Sequence, residues 1–209
     1  MISTRKLMFS FAAFIAVYLL LLLPKASMNE IYAEQFCKLG NYLYADFPQG
    51  GYVRLSTQTD KGKNDIALFL SNASWVENGK LTGVTTNKAS DRIGYLITAF
   101  FAALVIATPH NWKRKLVALT LGFLLVTAFV MLKLYIIILQ AFTQVDWFGL
   151  FQEPSTKQSI QFWYENFAAP ASYGYSFVVI VWLALSIRRR EWKHLNSLLH
   201  TETLQRKYA

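Results

Sequence analysis

Residues 116–142 read LVALTLGFLLVTAFVMLKLYIIILQAF, with Lys133 as the one charge, and this stretch decides the fold. The hydrocarbon core of a bilayer, about 30 Å thick, takes roughly 17–25 mainly apolar residues as a helix. A helix suits that place because it satisfies its own backbone hydrogen bonds. Run 116–142 meets the length, and so does 7–24. Two more runs, 93–108 and 173–187, reach it by borrowing flanking Tyr, Ser and Ala. Basic residues crowd one side of all four: Arg5 and Lys6, then Lys113, Arg114 and Lys115, then Arg188, Arg189, Arg190, Lys193, Arg206 and Lys207. By the positive-inside bias that side is the cytoplasm. The expected fold is an all-α membrane protein with four transmembrane helices and both termini inside. It carries a small extracytoplasmic segment that contains a β-hairpin. The expected parts are an anchor helix at 1–24, an extracytoplasmic segment at 25–92, a three-helix membrane core at 93–187 with an aromatic external loop at 143–172, and a basic amphipathic tail at 188–209.

This orientation separates the chemistry-bearing residues. Cys37, the single cysteine, falls outside, while His110, His194 and His200 fall inside. No thiolate–imidazole pair can form within one subunit, which excludes a cysteine–histidine enzyme of that kind. One cysteine also makes no internal disulfide. Cys37 reads as a small apolar residue of an amphipathic segment. The net charge of +9 sits mainly in juxtamembrane clusters, where it sets topology and meets anionic lipid headgroups. Membrane lipids are therefore expected partners, and nucleic acid is not. Arg5, Lys6 and the apolar run also resemble a signal peptide. The run is long for a signal core at ~17 residues, and Pro24-Lys25-Ala26 is a poor small-x-small site, so a retained anchor is expected.

Outward from the membrane runs, 26–44 carries Ile31, Tyr32, Phe36, Leu39, Tyr42 and Leu43 at helical spacing. That pattern predicts a helix lying on the outer membrane face or on the bundle. Pro48-Gln49-Gly50-Gly51 breaks the chain. Residues 52–58 alternate, 60–64 is turn chemistry, and 65–71 is a second strand candidate, together a hairpin. A lone hairpin is marginal in water, so a partner surface is implied. Trp75 and an extended piece around 81–86 are candidates for it. Asn72-Ala73-Ser74 is an acceptor sequon that matters only in a eukaryotic secretory pathway. The short, one-sided loops are read as bacterial, hence an inner-membrane, multi-pass location. Residues 109–115 form a tight turn that makes the second and third membrane helices antiparallel neighbours, with Trp112 as an interfacial anchor. Seven aromatic residues within 143–172, among them Phe162 and Trp163, predict a loop lying on the outer interface. Trp192, Leu195, Leu198 and Leu199 predict an amphipathic helix in the tail.

Ionisable residues inside a bilayer are functional candidates. Lys133 lies ~26 Å along its helix at ~1.5 Å per residue, near the outer surface. Two readings stand: Lys133 snorkels to the outer headgroups, or it pairs with Asp91 or Asp146. Asp91, Arg92 and Lys133 are expected on one level as a polar cluster, and Tyr95, Tyr135, Tyr173 and Tyr175 as an aromatic belt at that height. If the chain is an enzyme, Ser90, Arg92 and Lys133 are its catalytic candidates. The histidines are too scattered for a metal site, and no Gly-rich phosphate loop occurs. No cofactor is expected.

The strings Ala89-Ser90-Asp91-Arg92-Ile93-Gly94-Tyr95, Trp112-Lys113-Arg114-Lys115 and Met131-Leu132-Lys133-Leu134 resemble a degraded core of the exosortase/archaeosortase family of membrane transpeptidases. The resemblance implies that Ser90 stands where that core has its cysteine and Lys133 where it has a late arginine. No external histidine exists, so the activity does not carry over. The layout, with Pro109, the basic turn and Tyr173-Gly174-Tyr175 opening the last helix, resembles the small exosortase H-associated membrane proteins. That likeness implies a non-catalytic accessory or assembly subunit of an inner-membrane sorting or envelope export system, with an exosortase as a partner. The alternatives are an exosortase-like transpeptidase or hydrolase with a non-Cys nucleophile, or a small transporter component. The transporter reading is thinly supported, since no helix shows paired Gly or Pro breaks.

Overall fold

The computed structural model describes residues 4–22, 26–60, 63–77, 80–89 and 94–186. Helix α1 (Thr4–Leu22) and helix α2 (Ala26–Leu43) precede a short 3-10 turn at Pro48–Gly50 and strands β1 (Gly51–Asp60), β2 (Lys63–Glu77) and β3 (Lys80–Ala89). Helices α3 (Leu96–Ala107) and α4 (Trp112–Thr143) follow. After a 3-10 turn at Asp146–Phe148 come α5 (Pro154–Trp163), its π-helical extension Tyr164–Ala168, and α6 (Ser172–Ser186). The amphipathic tail, with His194 and His200, lies outside the described residues, and so do Ser90, Asp91 and Arg92.

The fold is mostly helical with a small antiparallel sheet. The expectation of four membrane-length helices is met in part. Among the described residues α4, at 32 residues, alone is long and apolar enough to cross a membrane unaided. The α1 stretch Met8–Leu22 and α3 are apolar but shorter. The segments Pro154–Ala168 and Ser172–Ser186 reach the length only together, and they bend by 61° at their junction. A broken helix pair therefore exists where none was expected, and the 143–172 loop is largely helical. Pro154 sits in the first turn of α5, where its missing N–H costs nothing.

α1, α3, α4 and α6 form one packed group whose directions follow from their end contacts. Tyr95, at the start of α3, donates its hydroxyl to the carbonyl of Leu21 at the end of α1 (2.9 Å). At the opposite end, Trp182 of α6 donates Nε1–H to Thr108 Oγ1 after α3 (2.8 Å), and Arg114 of α4 donates to Ser186 O (2.8 Å). α1 and α4 therefore run one way, α3 and α6 the other. Gly122 lets α4 close on α3, since a Cβ there would overlap the Phe101 ring. Large apolar side chains still face outward on all four helices, among them Phe9, Leu19, Ile106, Leu124 and Ile180.

The expected hairpin is a three-stranded meander in the order β1-β2-β3. Asn64, expected in the turn, is already in β2 opposite Thr59. The extended piece at 81–86 is the third strand. Val53, Leu55, Ile66, Leu68 and Leu70 are buried, and the register places Val53 opposite Leu70 and Leu55 opposite Leu68 on one face. α2 covers β1 and β2 there. The α2 face agrees with the expected one at Phe36 and otherwise differs: Ala33 and Cys37 are buried with Phe36, while Ile31, Leu39, Tyr42 and Leu43 are exposed. The sheet comes so near that a Cβ on Gly40 would sit 3.1 Å from the Leu55 side chain. Small residues therefore mark the protein-facing stripe.

Candidate functional site

Two features hold the unusual polar chemistry: one face of upper α4, and the sheet with its edges. On α4, Phe129, Lys133 and Gln140 recur at spacings that share a helix face. Phe129 stacks on Phe177 (centroids 4.2 Å, 8°) and meets Phe167 edge-on. Lys133 Nζ donates to Pro170 O at 2.9 Å. The reason is local. Gly174 N–H turns to Ala171 O, so the Pro170 carbonyl lacks the helical partner four residues on, and the lysine supplies one. Gln140 Nε2 donates to Gln161 Oε1 (2.5 Å), and Gln161 Nε2 donates to Glu165. Gln140 is 6 % exposed, and its Oε1 has no hydrogen-bond partner among the described residues. This face is the seat on which the bent α5–α6 pair rests.

Lys133 thus does not pair with Asp146. Asp146 is bonded to Lys157 at 3.0 Å. The geometry explains the miss: Asp146 lies beyond the end of α4, more than three turns above Lys133. Of the expected cluster, the described residues place Lys133 alone. Ser90, Asp91 and Arg92 fall outside them, as does the proposed catalytic trio apart from Lys133. The tyrosines are not a simple belt either. Tyr135 stacks on Tyr44, Tyr95 meets Tyr32, Tyr175 meets Phe100, and Tyr173 is the exposed one of the four.

Outside the helix group, buried polar atoms are engaged. Asn41 brackets edge strand β1, accepting from Leu55 N–H (2.7 Å) and donating to Leu55 O (2.8 Å). Tyr44 donates its hydroxyl to Met131 O (2.7 Å). Burial pushes that phenol's pKa upward, with Tyr135 adding to it. Burial likewise pushes Tyr32 up to about 12, partly offset by Thr98. The Cys37 thiol is buried and free, and burial pushes it up to about 11, the reverse of what an activated nucleophile needs. No group of three His, Cys, Asp or Glu that could hold a metal occurs among the described residues.

The sequon forms part of a bulge. Between Ser71↔Gly83 and Val76↔Leu81 the β2 register shifts. Asn72 Oδ1 accepts from Ser74 N–H and Oγ–H, and its Nδ2 donates to Phe148 O (2.9 Å). Asn72 thereby ties the sheet to the connection after α4. Trp75 within the bulge, Val76 just beyond it, and Val84 opposite Leu70 before it are exposed. β3 is hydrogen-bonded to β2 on one side, and no described strand pairs with its other side.

Sequence reasoning missed the Gln140–Gln161–Glu165 chain and the Asn41 bracket. Gln140 was findable: an amide in an apolar run, seven residues from Lys133, shares its face. Asn41 carried no such signal. No family model matches the chain, and no curated protein or solved structure matches it either.

Proposed function

We propose that this chain is a multi-pass protein of the bacterial inner membrane, with both termini cytoplasmic, acting as a non-catalytic accessory subunit. In this reading it offers the free edge of β3 to an extended segment of an envelope or sorting protein, such as an exosortase-type enzyme. The observation that carries the reading is the asymmetry of the sheet. β1 and β2 are packed on α2, and Asn41 brackets Leu55 of β1, while β3 pairs with no described strand on its outer side, beside exposed Trp75, Val76 and Val84. An open edge accepts a further strand, with backbone bonds giving affinity and side-chain pockets giving selectivity.

Membrane placement is supported by the outward apolar side chains on α1, α3, α4 and α6. The thickness fits. Lys133 stands about 27 Å above Lys115 at ~1.5 Å per residue, close to a hydrocarbon core. The bent α5–α6 pair then brings exposed Phe162, Trp163 and Tyr173 to the outer boundary, where aromatic rings anchor.

A photo-crosslinking residue at Val84 tests the edge in intact cells. One membrane or envelope protein should be trapped there, and none by the same probe at Tyr42 on exposed α2. Equal capture at both positions, or none at Val84, overturns the docking edge. Cysteine labelling, with Cys37 removed, tests orientation separately. A cysteine at Ser155 should react with an impermeant reagent, and one at Ser197 should not.

A further inference from the structure

The α3–α4 turn uses its cations unequally. Lys115 Nζ donates to Ile106 O, and Arg114 donates to Ser186 O, where His110 Nε2 also lies at 3.1 Å. Lys115 thereby closes the C-terminal end of α3, where carbonyls lack helical partners, and Arg114 and His110 engage the carbonyl of the last described residue of α6. Lys113 is exposed and has no hydrogen bond or ion pair among the described residues. Directly above it, a groove of about 350 Å³ runs between α3 and α4. Phe101 and Ala102 line one wall, and Thr120, Phe123 and Leu124 the other. Lys113, Thr120 and Leu124 are spaced by about two and then one helical turn, so they share one face of α4. The groove begins about 10 Å above Lys113 and ends about 16 Å above it, the depth that an acyl chain of the inner leaflet reaches from its phosphate.

We propose that this groove binds one anionic phospholipid of the cytoplasmic leaflet, its phosphate on Lys113 and one acyl chain along Ala102, Thr120 and Leu124. The inference rests on the membrane placement proposed above. Charge complementarity selects the headgroup: Lys113 is the cation of the turn with no carbonyl partner among the described residues, and the groove opens on its side of α4. Exposed Trp112 stands beside it at the level of the glycerol backbone.

Native mass spectrometry of the full chain in mild detergent tests this, with dioleoylphosphatidylglycerol against dioleoylphosphatidylcholine. The glycerol lipid should be retained about fivefold better, the factor expected for one basic residue at an anionic headgroup. Lys113→Gln, at an exposed site, should erase the preference. Ala102→Trp should fill the groove and remove both adducts, while Leu125→Trp, outside it, should change neither. Equal retention of the two lipids by the unaltered chain, or a preference that survives Lys113→Gln, overturns the proposal. An alkaline carbonate wash separates the two levels. Release of the chain from membranes sinks the placement itself, whereas a chain that stays but shows no preference sinks the lipid site alone.

Discussion

Within the apolar run 116–142 of α4 the two halves have nearly the same hydropathy and opposite surroundings. Below about residue 128, Leu116, Val117, Leu121, Phe123, Leu124 and Leu125 point outward, with Leu124 60 % exposed. Above it, Phe129, Val130, Met131, Leu134, Ile138 and Phe142 are buried under α2, the sheet and α5–α6, with Phe142 0 % exposed. Apolar solvent and protein core make the same demand on a side chain, so hydropathy runs through the whole helix without a seam. What changes is polarity at single positions. The upper half carries Lys133 and Gln140, each seated on a backbone or side-chain partner. One helix thus combines an outward-facing apolar half with a half that serves as the post on which α2, the sheet and α5–α6 are built.

The largest test of that contrast compares two truncations. Phe142 lies among Phe47, Phe148 and Phe151, and Phe142→Ala should cost about 4 kcal/mol through lost burial and a cavity. Leu124→Ala, facing outward, should stay within about 0.5 kcal/mol. Denaturant unfolding in mild detergent reads both. Similar costs would mean that lower α4 is covered by something other than lipid.

Next in size is Lys133→Met, expected to cost about 2 kcal/mol, the range for a hydrogen bond from a charged donor. Removing it frees the Pro170 carbonyl, so hydrogen exchange should quicken at Ala169–Gly174 and leave the sheet unchanged. Faster exchange in β1 instead would show that the lysine supports the outer domain and not the bend.

Asn41→Ala should cost about 1.5 kcal/mol, since two hydrogen bonds to Leu55 are lost and its edge backbone groups are left without partners. Exchange at Leu55 should rise first. An unchanged Leu55 would mean that α2 packing alone holds β1.

Much of this architecture was legible in the sequence. The 116–142 run, the basic turn and the alternating strands each rest on a period or a charge bias that local chemistry enforces. The α2 face was not legible, because an amphipathic helix with apolar residues on both sides gives periodicity no way to choose. Ala33, Cys37 and Gly40 held the answer, since close approach to Leu55 demands small residues. α5 hid behind its aromatics, although Pro154 followed by a polar stretch is a helix start. The role of Lys133 was out of reach, for its partner is a carbonyl created by a bend 37 residues away.

The smallest expected effect concerns Cys37, which lies on α2 against the sheet and so reports on the upper half alone. Its thiol is 6 % exposed and raised by burial to about 11 from 9.0. A raised acid pKa means that the folded chain holds the proton longer than the unfolded chain. That contribution to stability is complete below pH 9 and is lost as pH climbs through 11. Tyr32 and Tyr44 add to the loss above pH 10, their ordinary value being 10.0. Between pH 9 and 10 the thiol therefore dominates among these three. Stability should fall there by an amount on the order of 1 kcal/mol, and Cys37→Ala should flatten the slope while leaving abundance at pH 7 nearly unchanged. Maleimide labelling at pH 7.5 gives a second reading. A two-unit rise cuts the thiolate fraction about 100-fold, so labelling should lag the unfolded chain by at least that factor. Fast labelling of the folded protein would mean an open, activated thiol and would make Cys37 a candidate nucleophile.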